Sequence, residues 1–347
     1  MKIILDGMGG DNAPHEIVKG AVETSKLIEH EICIVGDSSQ IEAELKDYNY
    51  DPDKISVLHA SEVIETEDSP VKAIRRKKDS SMVVGINQVK EGNGDVFISA
   101  GNSGAIMAGG LFILGRIEGI DRPALATTYP ILGKGVTLLI DSGANSECRS
   151  RNLVEFAFMG STYMEKVLNI DEPRVGLVNM GTEESKGTPT LKETFGVLSM
   201  SREKGYLNFI GNVEGRDIPK GVCDVTVCDG MVGNVILKLT EGLAWQILKL
   251  LKMKFTDGVR AKIGAAFLLN KMKELKTEFD YSEYGGAPIL GVKGPLIKIH
   301  GSSTANAVRS GIEKCIPFVE NNVVDTIGRH VEELDELRLE TEKDIND

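Results

Sequence analysis

No apolar run in these 347 residues reaches the ~20 that a membrane-spanning helix needs, so any membrane contact is expected to be peripheral. Positive charge is not in excess either. Forty Lys and Arg against 52 Asp and Glu leave −12, which argues against the general basic footprint of a nucleic-acid binder. The five cysteines, Cys33, Cys148, Cys223, Cys228 and Cys315, are odd in number and mostly set in apolar runs, the pattern of reduced thiols in a cytoplasmic protein. Cys223 and Cys228 are spaced so that a strand sends them to opposite faces, and no metal site is expected from them. G-x-S-x-G, the P-loop lysine signature and H-E-x-x-H are all missing, so a serine nucleophile, P-loop hydrolysis and zinc proteolysis each lack their motif. The opening residues read as a strand and not as a secretory leader.

What is present is alternation. KIILD, EICIVGD, KISVLHA, DVFISAGN, GVTLLIDSGAN, RVGLVNMG, LNFIGN and CDVTVCDG read as short buried strands, most ending in Gly, Asn or Asp. Amphipathic segments separate them, notably residues 14–28, 70–90, 153–168 and 191–204. The pattern predicts an α/β chain with a mainly parallel sheet, whose ligands bind outside the carboxyl ends of the strands.

Six strand-end loops carry the polar chemistry. The first, LDGMGGDNAPHE, has Gly7 and Gly9 in dinucleotide spacing, but Asn12 holds the third glycine position, and Asp6 and Asp11 would repel a pyrophosphate. Asp37, ending the second strand, imitates a ribose-binding acid. The plain alternative is that Asp11 or Asn12 caps the helix ahead; that leaves Asp6 unexplained. In SAGNSGAIMAGG, residues Gly101, Asn102, Ser103 and Gly104 either surround an anion at a helix start or only cap and pack that helix. VNMGTEESKGTP offers Lys186, an anion partner or a solvated surface charge. FIGNVEGRDIP brings Asn212, Glu214 and Arg216, CDGMVGNV brings Asp229, Gly230, Gly233 and Asn234, and HGSSTANAV brings His300, Ser302, Ser303 and Asn306. Convergence of these loops on one cleft would make a site for an anion and an acyl group.

Together MKIILDGMGGDNAP, SAGNSGA, LIDSGAN, NMGTEESKG, FIGNVEGRDI, CDGMVGNV and HGSS resemble, in order from Met1 to about Gly328, the phosphate acyltransferases of bacterial phospholipid synthesis. The resemblance implies attack of inorganic phosphate on the thioester of a long-chain acyl–acyl carrier protein. Acyl phosphate then passes to a membrane glycerol-3-phosphate acyltransferase. It also implies an α/β/α Rossmann-like fold similar to phosphotransacetylases and isopropylmalate and isocitrate dehydrogenases, with two lobes around a cleft, a homodimer and no cofactor. On this reading Asp6, Gly9, Gly10, Asp11 and Asn12 form a cleft wall. Phosphate is already an oxygen nucleophile, so the enzyme positions it and neutralises charge. Lys186 and the 101–104 loop are expected to hold it, with Asp229 polarising it or taking its proton, and Asn179, Asn212, Asn234 and His300 available to the carbonyl or the leaving thiolate.

Residues 249–276 carry eight Lys or Arg against two acids, +6 within a chain of −12. Lys252, Lys254, Arg260, Lys271 and Lys273, with Phe255, Phe267 and Leu268 beside them, suit an acidic carrier or an anionic lipid surface; packing on a dimer mate is the alternative. The expected organisation is one catalytic unit over residues 1–330, a helical projection over 249–291, and an acidic tail over 331–347. Competing functions are a short-chain phosphotransacetylase using coenzyme A, a non-catalytic membrane scaffold, and nicotinamide-dependent oxidation.

Overall fold

In the computed structural model, residues 1–131, 133, 135–258, 264, 265, 267, 268, 271 and 286–337 are described. All eight expected apolar runs form strands: β1 (Lys2–Asp6), β2 (Glu31–Gly36), β3 (Ile55–His59), β4 (Val96–Ser99), β6 (Val136–Ile140), β7 (Arg174–Val178), β8 (Asn208–Val213) and β9 (Val225–Val227). Three more strands join them: β5 (Ala124–Pro130), β10 (Ala287–Leu290) and β11 (Leu296–Lys298). Together they make one sheet in the order β3-β2-β1-β4-β11-β10-β5-β6-β9-β7-β8.

Where both faces of the sheet are covered its strands are near-continuous apolar runs, as in β1, β2, β4 and β6. Successive side chains of β1 alternate between two cores. Ile3 and Leu5 pack with Ile32, Ile34 and Ile98 on one face, while Ile4 packs with Val35 and Phe97 on the other. The first face is covered by α1 (His15–Ser25) and α9 (Ala305–Glu320), which lie against each other. Gly20 makes that approach possible, since a Cβ there would stand 2.6 Å from Val308. The second half of the sheet is built on α6 (Ser150–Leu168), whose Phe156, Ala157 and Met159 are fully sequestered with Val175, Leu177 and Val225.

Two departures from the sequence pattern have physical causes. Residues 70–90 form two helices, α3 (Pro70–Arg76) and α4 (Ser81–Lys90), because the Ser80 hydroxyl accepts from the Val83 N–H at 3.3 Å and starts the second afresh. The central strands are antiparallel: β11 with β10, β10 with β5, and β5 with β6. Three successive reversals turn β6, β9, β7 and β8 opposite in direction to β1, β2, β3, β4 and β11.

The longest helix, α8 (Gly230–Phe255), buries only Gly230 and Gly233 of its 26 residues. Val232, Val235, Leu239, Leu243, Ile247, Leu250 and Met253 are all exposed along it. Arg260 and Lys273 lie outside the described residues, as does most of the span 259–285.

Candidate functional site

The strand-end loops are gathered into two groups. In the first, Asp6 is 1% exposed at the end of β1. Its Oδ2 accepts from the Ser99 hydroxyl at 2.6 Å and its Oδ1 from the Met8 N–H at 3.2 Å. Ser99 Oγ in turn accepts from the Gly101 N–H at 3.0 Å, so the buried carboxyl joins the loop after β1 to the loop after β4. Burial pushes the Asp6 carboxyl above the usual carboxylate range, against the pull of these donors. Gly9 must be glycine, since a Cβ would stand 2.5 Å from Asp6 Oδ2 and 2.8 Å from the Gly101 nitrogen.

Neither Asp11 nor Asn12 caps α1, whose N-cap is Pro14 without a side-chain bond. The Asn12 carboxamide instead donates to the Ser302 and Ser303 carbonyls at 3.3 and 3.2 Å, and the Asp11 N–H to the Gly301 carbonyl at 2.8 Å. Those bonds tie the first loop to the last. Asp37 is also structural: it caps α2 (Ser38–Leu45) and is pulled down to about 2 by Ser39 and Gln40. The ribose-binding mimic is thus a helix cap.

Asn102 caps α5 (Ser103–Gly109), its Oδ1 accepting from the Ala105 N–H at 3.0 Å. Its Nδ2 donates to the carbonyls of Glu65, Thr66 and Asp68 at 2.9–3.2 Å. The carboxamide is therefore committed to protein, and what this turn offers a ligand is the exposed edge at Ser103 and Gly104.

At the end of β11, Lys298 lies opposite Ser99 in the ladder and donates to the carbonyls of Ala100, at 3.4 Å, and Ile299. Burial pulls its ammonium down to about 8, against the attraction of Asp6 and Asp11. His300 Nδ1 stands 2.8 Å from Ser302 Oγ and accepts from the Ser302 N–H at 3.2 Å, which places the ring proton on Nε2. Burial, then Lys298 and Lys238, hold His300 below the usual imidazole value, so it is neutral at pH 7. The charge of Lys238, on α8, acts on both residues.

The second group follows β6, β7, β8 and β9. Asp141, fully buried, accepts from the N–H groups of Leu125, Gly143, Ala144 and Asn145 at 2.6–3.2 Å and from Asn145 Nδ2 at 2.8 Å. The pattern LIDSGAN marks a strand end without revealing this hub, because the donors come from a turn and a neighbouring strand. Asn145 then accepts the Gly230 N–H at 2.7 Å, docking the start of α8. Asp229 caps that helix through the Val232 N–H at 2.8 Å. Asn234, exposed one turn on, stands 3.6 Å from where a Gly143 Cβ would be.

Lys186 is exposed on the loop after β7, without an ion-pair partner among the described residues. The loop beneath it is braced by two carboxamides. Asn179 Nδ2 donates to the Lys186 carbonyl at 3.2 Å, and Asn212 Nδ2 to the Glu183 carbonyl at 3.1 Å. Asn212 Oδ1 is buried without a partner among the described residues. Glu214 and Arg216 pair with each other at 2.5 Å. No hydrogen bond or ion pair joins the two groups directly among the described residues. α8 carries Asp229 at its start and Lys238 ~13 Å further along, whose charge acts on Lys298 and His300.

The model of the family described as "Fatty acid synthesis protein" matches residues 1–326. A phosphate acyltransferase of Alkaliphilus oremlandii is 53% identical over 340 residues, covering 98% of this chain and all of the relative. One from Clostridioides difficile is 47% identical over 336 residues, covering 97% of this chain and 98% of the relative. Among solved structures, EutD phosphotransacetylase from Staphylococcus aureus aligns with a TM-score of 0.59 at 15% identity, over 93% of this chain and 94% of its own. A phosphotransacetylase from Streptococcus pyogenes gives 0.60 at 15%, over 94% of both, and at that identity the likeness concerns the Rossmann-like fold. With a family match over nearly its whole length and relatives near half identity, the chain belongs to the phosphate acyltransferases of the fatty acid synthesis protein family and is an acyltransferase.

Proposed function

We propose that this acyltransferase moves a long-chain acyl group from acyl–acyl carrier protein to inorganic phosphate by direct attack, without an acyl-enzyme. A phosphate oxygen adds to the thioester carbonyl, the C–S bond breaks, and the thiolate leaves with a proton as the free carrier. The observation that carries the direct route is the state of the thiols. Cys228, next to Asp229, is fully buried and pushed well above its usual value by burial, and Cys148 is pushed up to about 12. A thiol so held has no thiolate to attack with at neutral pH.

Phosphate is assigned to Lys186 and the edge at Ser103 and Gly104, with Asp229 taking the proton and neutral His300 or Asn234 offered to the departing sulfur. Asn179 and Asn212 act here as braces of the Lys186 loop. Lys186→Ala is expected to raise the phosphate KM at least about tenfold, the scale of one lost charge-assisted bond. Saturation like the wild type would move phosphate to the 101–104 loop alone.

The exposed apolar side chains of α8 recur every three or four residues from Val232 to Met253, the spacing of a helix seam, which supports a homodimer packed through α8. Beyond it, exposed Lys252, Lys254 and Lys271 sit with Phe267 and Leu268 in the +6 segment, a surface suited to the acidic carrier and to anionic lipid. Among the described residues no helix is long and apolar enough to cross a membrane. A cytoplasmic, peripherally bound enzyme handing acyl phosphate to a membrane glycerol-3-phosphate acyltransferase fits this surface.

The test is phosphate-dependent release of carrier thiol from palmitoyl–acyl carrier protein, beside palmitoyl coenzyme A and a blank without phosphate. Release that saturates with phosphate and prefers the carrier supports the reading. Release from coenzyme A alone, or from neither donor in folded enzyme, refutes it.

A further inference from the structure

Lys298 is a half-buried cation where the first group of loops meets, and nothing in the reaction proposed above uses it. It sits where the three loops after β1, β4 and β11 meet, one from the start of the chain and one from near its end. Its ammonium spans the Ala100 carbonyl of the second loop and the Ile299 carbonyl of the third. The first loop is fastened to the same place, through Asp6 to Ser99 and through Asp11 and Asn12 to residues 301–303. We propose that Lys298 is a positioning residue for acyl transfer, its ammonium fixing the loop after β4 against the loop after β11 and so setting the shape of this group of strand-end loops.

Loss of the proton leaves donors enough for both carbonyls but removes the charge, so two charge-assisted bonds become ordinary ones and the join between the loops weakens. The charged groups around Lys298 are few. Asp6 and Asp11 act on it from the first loop, His300 lies on its own loop, and the charge of Lys238, paired with Glu241, reaches it from α8. The carboxylates favour the ammonium; burial and Lys238 oppose it, leaving a value of about 8. The join between these loops is thereby coupled to pH just above neutrality. His300 titrates below its ordinary value, so it produces no alkaline limb.

The inference rests on phosphate-dependent acyl transfer as the activity, and its test separates the two. In the wild type, kcat for carrier thiol release is expected to fall above pH 8, about tenfold per pH unit. Lys298→Arg keeps the charge and is expected to retain at least a tenth of the activity while moving that limb beyond pH 9. Lys298→Met is expected to lower kcat at pH 7 by 30-fold or more, with the donor KM changed less than threefold and the limb abolished. A limb unmoved in Lys298→Arg, or a kcat unchanged in Lys298→Met, overturns the proposal.

A second readout needs no turnover. The backbone amide resonances of Gly101 and Gly301 should shift with a midpoint near pH 8 in the wild type and remain flat over that range in Lys298→Arg. A titration identical in both variants, or none in the wild type, overturns the assignment of Lys298. Absence of thiol release with the titration present refutes the function and leaves the positioning role standing.

Discussion

Replacing Gly233 by alanine sets two physical rules against each other. Helix propensity alone says that an interior Gly→Ala change stabilises by about 1 kcal/mol. Gly233 lies in the first turn of α8, however, and a Cβ there would stand 1.9 Å from the Asp141 carbonyl oxygen and 3.1 Å from Cys228 Sγ. The oxygen belongs to backbone braced by the Asp141 carboxylate, so the helix must retreat by more than about 1 Å to reach ordinary contact. Overpacking of this kind costs about 1–3 kcal/mol. Retreat also stretches the 2.7 Å bond from the Gly230 N–H to the Asn145 carbonyl, a further loss of about 1 kcal/mol. After the propensity gain, a net destabilisation of about 1–3 kcal/mol is expected, and displacement of Asp229 and Asn234 should lower kcat by two orders of magnitude or more. Gly196, exposed within α7 (Pro189–Glu203), has nothing within 4 Å of its would-be Cβ and serves as the control. Urea unfolding should show Gly196→Ala more stable than wild type by up to about 1 kcal/mol and Gly233→Ala less stable. Equal stabilisation by both would refute the claim that α8 is docked through this glycine.

Ser99→Ala removes the hydroxyl donor to buried Asp6 and is expected to cost about 1–3 kcal/mol by urea unfolding; a change below about 0.5 kcal/mol would show that the bond is dispensable. Cys223, Cys228, Cys315 and Tyr163 are all held up by burial, so between pH 8 and 10 the unfolded chain releases protons that the native state retains, and stability should fall with rising pH. Lys298 has the opposite sign: lowered to about 8, it lets the unfolded chain bind the extra proton above that pH and contributes stability as pH rises, so the wild type should gain on Lys298→Met by up to about 1.4 kcal/mol per pH unit in that window. Identical pH slopes would refute the assignment. Lys252→Glu with Lys254→Glu should reduce flotation with anionic vesicles and raise the KM for acyl–acyl carrier protein while leaving the urea midpoint unchanged; undiminished flotation would count against the lipid surface.

Much of the sheet is legible because a strand buried on both faces needs an unbroken apolar run, and β1, β2, β4 and β6 are such runs. The three central additions are not. β10 has four residues and β11 three, too few for any period to show, and each exists through its pairings with neighbours distant in sequence. β5, ALATTYP, mixes small and hydroxylated residues, and its Pro130 ends the strand. These unreadable strands carry the reversal of direction that divides the strand-end loops into two groups. The break between α3 and α4 was within reach, since Ser80 and Ser81 following Asp79 in the middle of a helical pattern are capping chemistry. Asn102 shows the limit of a residue-type argument: a carboxamide beside glycines at a helix start suits an anion, but this one is spent on three carbonyls of the 65–68 segment, which only the folded chain brings near.

The acids of the glycine turn have the same explanation at longer range. A pyrophosphate placed on that loop would meet Asp6 and Asp11, and the residue imitating a ribose acid is already bonded to the start of α2, so dinucleotide binding fails on electrostatics as well as spacing. Without a partner, a carboxylate as buried as Asp6 would be costly. Its partners are Ser99, 93 residues on, and the field of Lys298 almost at the other end of the chain. Glycine is needed at position 9 so that Gly101 can approach Asp6, and at position 10, where φ is +98°, because the Gly301 carbonyl lies 2.8 Å from any Cβ. The glycines therefore admit neighbouring backbone, and the carboxylates answer a cation that the local sequence does not contain.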